Sequence, residues 1–372
     1  KFWSGISNVW NYLKVRASFG LVGSDETGLA AGAPHYLYLS DVNMYGGGQF
    51  HSGYDGSFTK NGPIINAYPV QDAHWERASE FDLGVDMRFF DQLNITVDWF
   101  KNKRDRILMR RASFPSVLGY QNAIPWANVG KVDNTGLELS LNWTKTFQRD
   151  WTIDARFNYS YSRNKYVYVD EPDYPYIWQT RTGKPLSSTY GYVAEGLFRD
   201  EAEIKASPDQ SLFGSTIMPG DIKYRDINGD GSITSEDQIM LSPYGNMPRI
   251  QYGFGLSMQW KNLDLSVFFN GSAKRTIMIS GVSPFCANDS NDNNLMQWIA
   301  DSHWSEGADN TGVLYPRLGT LTTQVTNNTQ PSSFWMRNGN FLRFKTLELG
   351  YRFKWFRLYF SANNVAVWSK FK

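Results

Sequence analysis

Residues 226–237 read DINGDGSITSED, a spacing that could hold a cation. Oxygen-bearing side chains fall at positions 1, 3 and 5 (Asp226, Asn228, Asp230), Gly231 at position 6 and Asp237 at position 12. In such a loop alternate residues turn their oxygens inward and the glycine allows a sharp bend. The cation would be calcium. Ser232 would add its backbone carbonyl, Thr234 a side-chain or water-mediated contact, and Asp237 the closing carboxylate. Asp is shorter than the usual Glu at the last position, which points to weak affinity. The same residues also suit a metal-free Asx-turn, with Asp226 and Asn228 bonded to backbone amides. The preceding DIKYR (221–225) reads as extended, so this is not an EF-hand.

A second group lies in YVDEPDYPYIWQTRTGKP (168–185), where Tyr174, Tyr176 and Trp178 sit among turn residues. Such rings can stack on a substrate or pack the loop onto its neighbours. No Gly-rich phosphate loop, nucleophile elbow or His-pair metal motif occurs, and no enzymatic activity is expected. Scattered Asp and Glu leave a glycosidase carboxylate pair open.

The elements that carry these loops are strands. Period-2 alternation recurs along the chain. Leu13, Val15, Ala17, Phe19 and Leu21 oppose Lys14, Arg16 and Ser18; Phe81, Leu83, Val85, Met87 and Phe89 oppose Asp82, Asp86 and Arg88. LNITVDW, LELSLNW, WTIDARFNYSY, YGFGLSMQW and LDLSVFF repeat the pattern, followed by FLRFKTLELGY and FRLYFSANNVAVW. Short turns near 90–92, 147–150, 261–262 and 352–355 alternate with long polar segments near 23–78, 104–133, 164–248 and 274–339. Antiparallel pairing then puts every short turn on one side and every long loop on the other, as in an outer-membrane barrel. A soluble sandwich would mix loop lengths at both ends, and loops beyond about 15 residues would be uncommon. Arg16, Asp86, Asp98, Glu138, Asp154, Arg156 and Asp264 suit a wet lumen, or the solvent face of a sandwich.

Composition agrees. Lys and Arg number 37 against 36 Asp and Glu, so no bulk charge draws the chain to nucleic acid. One cysteine, Cys286, excludes a disulfide scaffold. Aromatic residues reach 16%, which suits either cross-strand pairs in a soluble protein or a lipid-facing surface. Phe89, Trp143, Trp151, Trp260 and Trp355 lie beside the short turns, and Trp99, Tyr161, Phe269, Phe341 and Trp368 at the opposite strand ends, as two interfacial girdles. No apolar run of about 18 residues exists to form a membrane helix. The first residues are no signal peptide and read as the middle of something longer. The fold expected is all-β: part of an antiparallel transmembrane β-barrel, about nine or more strands of a large one.

Several segments, in order, resemble the SusC/RagA-type TonB-dependent outer-membrane transporters. They are HWERASEFDLGVDMRFFDQLNITVDWF (74–100), NVGKVDNTGLELSLNW (128–143), GKPLSSTYGYVAEGLF (183–198), PGDIKYRDINGDGSITSEDQ (219–238), WSEGADNTGVLYPRL (304–318), SSFWMRNGNFLRFKTLELGY (332–351) and LYFSANNVAVWSKF (358–371). The resemblance implies that residues 1–372 are part of one barrel domain, with plug domain and final strand absent. Segments 164–248 and 274–339 would be its large extracellular loops. It implies import of glycan or peptide nutrients across the outer membrane of a Gram-negative bacterium, multi-pass in lipid. A SusD-like lipoprotein would be the lid, and the TonB complex would supply energy through the absent N-terminal region. The alternative is a secreted or surface glycan-binding β-protein without transport activity.

Two geometric expectations follow. The turns at Asp91, Gln148, Asn262 and Lys354 should share one rim, with Tyr54, Trp178, Asp230 and Trp304 beyond the other. In FLRFKTLELGY the apolar parity changes across Lys345–Thr346, so a β-bulge should sit there.

Overall fold

The computed structural model describes residues 9–25, 36–70, 72–113, 124–147, 150–279, 295–319 and 325–371. Gln148 and Cys286 lie outside the described residues. Nine long strands form one sheet: β1 (Trp10–Ser24), β2 (Glu76–Phe89), β3 (Leu93–Arg110), β4 (Trp126–Phe147), β5 (Trp151–Tyr168), β6 (Ile250–Trp260), β7 (Leu263–Ala273), β8 (Phe341–Arg352) and β9 (Arg357–Ser369). Their order in the sheet is their order in the chain, β1 through β9, an antiparallel meander. By its contacts the chain divides into two units. One is Lys1–Pro175, Thr180–Leu186 and Phe254–Asp264; the other is Tyr176–Gln179, Ser187–Gly253 and Leu265–Lys372.

The first unit contains β1–β5 and the turn end of the β6–β7 hairpin, Phe254–Asp264. Its short turns hold Asp91 and Asn262, while Tyr54 lies in the long connection that leaves β1 at the opposite strand end. Phe90, Asp91 and Lys261 take positive φ, the left-handed conformation that closes such tight turns. Strands outrun the expectation: β3 and β5 have 18 residues and β4 has 22, whereas a tilted strand crosses a bilayer in about 9–11. The connection expected at 104–133 shrinks accordingly to residues 111–125. The excess lies on the long-loop side, where apolar alternation stops.

Register separates the two faces. Ala17, Leu83, Trp99, Leu137 and Tyr161 align across β1–β5, and Phe89, Leu93 and Trp143 form a second row nearer the short turns. Rings pair at both levels: Phe81 with Trp99 at 5.9 Å, and Trp151 with Trp260 stacked at 5.4 Å. This apolar face is open at Val15 and Phe19, which are 62% and 69% exposed. On the other face Arg16 Nε donates to Asp86 at 2.9 Å and Arg16 Nη2 to Asp98 at 2.8 Å. The guanidinium crosses Gly84, which stands between Arg16 and Asp98 in the register. A Cβ on Gly84 would meet the Asp98 carboxylate and the Arg16 guanidinium, so one of these side-chain ends would have to shift.

In the second unit the β8–β9 turn holds Lys354, while Trp178, Asp230 and Trp304 lie in the long connections at the other strand ends. The expected bulge is present, but on the partner strand. Phe344 pairs with Ala366 and Thr346 with Asn363, so β9 carries the extra residue, and Asn364 takes φ +54. Asn tolerates that conformation better than the Lys and Thr of β8.

Candidate functional site

The long connections of the second unit are not open loops. Tyr192, Ile222, Tyr224, Ile233, Tyr315 and Trp335 pack into a core of their own. Each large apolar side chain buried in this way contributes about 1.5–3 kcal/mol. At its centre runs the short strand Ile222–Tyr224, paired on one edge with Ala194–Leu197. Among the described residues its other edge has no neighbouring strand, and side-chain amides stand in for one. Ile222 N donates to Asn328 Oδ1 at 2.8 Å and Tyr224 N to Gln210 Oε1 at 2.8 Å. The Ile222 carbonyl accepts from Gln210 at 3.0 Å and from Asn327 at 2.8 Å. Buried backbone groups left without partners would cost as much as lost hydrogen bonds.

The same strand is preceded by a fully buried charge. Asp221 accepts two bonds from Arg317, at 3.0 and 3.2 Å, and others from Asn328 Nδ2 and Met218 N, each at 2.9 Å. That number of donors offsets the desolvation of a buried carboxylate. The Tyr224 hydroxyl donates to the Asn327 carbonyl at 2.7 Å, and burial pushes this phenol well above its ordinary range. Nearby, the Arg199 backbone N–H holds the Glu203 carboxyl below its ordinary range, helped by the Arg199 and Lys223 side chains against partial burial.

Residues 226–237 leave this core and return to it. Ile233 is wholly buried, and its N–H donates to the Asp209 carbonyl at 2.7 Å. Asp226 accepts from Gly229 N at 2.6 Å and Gly231 N at 2.9 Å. Asn228 Oδ1 accepts from Asp230 N at 3.1 Å, and Asp230 accepts from Ser232 N at 2.8 Å and from Asn228 Nδ2 at 2.9 Å. Thr234 Oγ1 accepts from Glu236 N at 3.1 Å. Asp237, fully buried, accepts from Ile227 N, Asn228 N and Thr234 N at 2.8, 3.3 and 2.8 Å. Gly229 and Gly231 take positive φ, which supplies the bend. Among the described residues no three His, Cys, Asp or Glu side chains are arranged to hold a metal ion. The six residues thus sit as a turn closed by its own amides.

The aromatic group divides. Tyr174 is exposed, whereas Tyr176 and Trp178 stack at 4.5 Å with their planes 9° apart. The Trp178 indole donates to the Glu236 carbonyl at 2.8 Å, inside the 226–237 turn. The two motifs therefore meet. Sequence reasoning missed the amide set of Gln210, Asn327 and Asn328 and the Asp221–Arg317 pair, because lone polar residues in a polar segment carry no periodicity. Chemically, this body offers a rigid, hydrogen-bonded surface. A cleft of about 780 Å³ opens on it, with Arg199, Glu201, Trp304 and Asp309 among its walls.

A family model described as TonB dependent receptor-like, β-barrel, matches residues 6–365. TonB-dependent receptor P3 of Formosa agariphila is 25% identical over 366 residues, covering 93% of this chain and 33% of the relative. TonB-dependent receptor SusC of Bacteroides thetaiotaomicron is 23% identical over 387 residues, covering 98% of this chain and 35% of the relative. This chain thus spans about a third of the length of these curated relatives. Among solved structures, the RagAB peptide importer in its open-open state superposes with a TM-score of 0.64 at 20% identity, over 99% of this chain and 38% of that one. The closed-closed state gives 0.63 at 22% identity, over 99% and 38%.

Proposed function

This chain belongs to the TonB-dependent receptor-like β-barrel family, and we propose on that footing that it forms barrel wall and outer loops of an active importer in the outer membrane. The match across residues 6–365 carries the proposal. The cargo is a glycan or peptide nutrient, the energy comes through TonB, and a SusD-like surface lipoprotein seats on the long connections as a lid. The names of two similar proteins, the TonB-dependent receptor SusC and the RagAB peptide importer, support TonB coupling and import, and the second a peptide cargo.

The geometry supports a transport role in three ways. Exposed apolar rows on one sheet face suit contact with lipid hydrocarbon, and the Arg16–Asp86–Asp98 cluster on the other suits a wet lumen. Within the second unit, the long connections carrying the packed body join the strand ends opposite the β8–β9 turn. That body has a core and a closed polar network, so it can serve as a firm seat for a lid rather than a set of free loops. The test is purification of the full-length receptor from native outer membrane in mild detergent. Stoichiometric recovery of one surface lipoprotein is expected. A receptor that stays dispersed without detergent and carries no lipoprotein would overturn the proposal.

A further inference from the structure

The outer face of β2–β5 changes character abruptly beyond the row of Leu83, Trp99, Leu137 and Tyr161. Between that row and the short turns, Lys145 is the one charged residue on this face of the four strands among the described residues. On the long-loop side the same face carries Arg77, Lys101, Lys103, Lys131, Arg163 and Lys165 against Asp105 and Asp133, six cations to two carboxylates. The register fixes their order. Lys101, Thr135 and Arg163 lie in one cross-strand row, and Lys103, Asp133 and Lys165 in the next. Arg77 is held by Asp105 at 2.8 Å. Lys101, Lys103, Lys131, Arg163 and Lys165 are exposed, and none is committed to an ion pair with another described residue.

Height matters as much as charge. Lys101 and Arg163 stand two residues past Trp99 and Tyr161, and Lys103 and Lys165 stand four past them. At about 3.3 Å per residue and a tilt of 35–45°, those steps place them roughly 5 and 10 Å above the aromatic row. The headgroup zone on each side of a bilayer is about 5–8 Å thick. A cleft of about 490 Å³ opens at the upper end of the belt, walled by Arg77, Arg106, Lys131 and Tyr168 together with the Asp105 carboxylate. Arg106 is turned into it by a bulge, at φ +59, with its carbonyl held by Asn128 Nδ2 at 2.8 Å.

We propose that this belt docks the phosphate groups of the outer leaflet's glycolipid. The proposal rests on the membrane placement given above. Uncommitted cations at headgroup height (Lys101, Arg163) and just above it (Lys103, Lys165) attract anionic lipid, and the long lysine stems let the ammonium groups reach back to the phosphates while staying on the strand face. The two carboxylates alternate with cations and so keep like charges from lying directly opposite one another.

The test uses the full-length receptor in nanodiscs, with phosphorylated lipid A, enzymatically dephosphorylated lipid A and inorganic phosphate as separate probes, read by native mass spectrometry. Preferential retention of the phosphorylated lipid is expected, weakened at least about tenfold in the K101Q/K103Q/R163Q/K165Q variant. Heat-modifiable electrophoretic mobility reports whether that variant folds, and the K103Q/K165Q pair replaces it if it does not. Equal retention of the two lipids, or equal retention by wild type and a folded variant, overturns the belt and leaves the membrane placement intact. Failure of the wild-type protein to enter nanodiscs overturns both. Retention of inorganic phosphate equal to that of the lipid overturns docking to a lipid headgroup.

Discussion

The indole nitrogen of Trp178 donates to the carbonyl of Glu236 across 2.8 Å, joining the aromatic segment to the turn at 226–237. Tyr176 lies flat on the same indole. Trp178 is therefore a strut between two parts of the connection.

Trp178→Phe keeps a ring for Tyr176 but removes the donor. A hydrogen bond of this kind is worth about 1 kcal/mol net. Limited proteolysis of the full-length receptor should cut within 226–237 several-fold faster in the variant, with cargo affinity unchanged. Unchanged proteolysis with weakened cargo binding would show instead that the ring meets substrate.

Asp237 closes the turn through three amides. Asp237→Ala should destabilise the connection by about 2–3 kcal/mol, since bonds to a charged acceptor are the stronger kind and the freed N–H groups are partly buried. Because amides already satisfy the carboxylates, EGTA should leave the thermal midpoint of the wild-type receptor within about 1 °C. A calcium-dependent rise of several degrees, lost in Asp226→Asn, would establish the cation cage that the spacing suggests.

Much of this was legible in the sequence, and what was not has physical causes. Leu93, Ile95, Val97 and Trp99 announced β3 because these apolar side chains share one face of the strand and Asn94, Thr96 and Asp98 the other. Past Trp99 both faces are polar, so KNKRDR gave no alternation although the strand continues to Arg110. The parity change at Lys345–Thr346 located the bulge but not its strand, because either partner can carry the extra residue; Asn364 was the residue able to adopt φ +54. Ile222 and Tyr224, on one short strand, and Ile233, in the turn that follows, gave no sign of a core, since they meet Tyr192, Tyr315 and Trp335 only in three dimensions.

Gly84→Ala should break the contact of Arg16 with Asp98 while leaving both residues in place. Forcing a methyl into a filled space costs about 1–3 kcal/mol. A lower heat-modifiability midpoint of the detergent-solubilised receptor is expected, with Gly20→Ala, where a Cβ meets open space, as the silent control. Equal midpoints for the two variants would show that the ion cluster can move aside.

Glu203 gives a pH dependence. Its carboxyl is held below the ordinary value by the Arg199 N–H and by Arg199 and Lys223, so the folded state binds the proton less readily than the unfolded one. The stability this contributes is present above the unfolded Glu value, about 4.3, and is lost as pH falls through the lowered folded value. Glu203→Gln should flatten the acid limb of the stability curve. An acid limb identical to wild type would assign it to other carboxylates.

The central claim is energised import, and uptake by cells tests it most directly. Cells lacking the full-length receptor are compared with complemented cells, with and without functional TonB, on panels of labelled glycans and peptides. Accumulation of one nutrient class should be lost on deletion and restored by complementation only where TonB functions. Restoration in cells without TonB function would contradict the account.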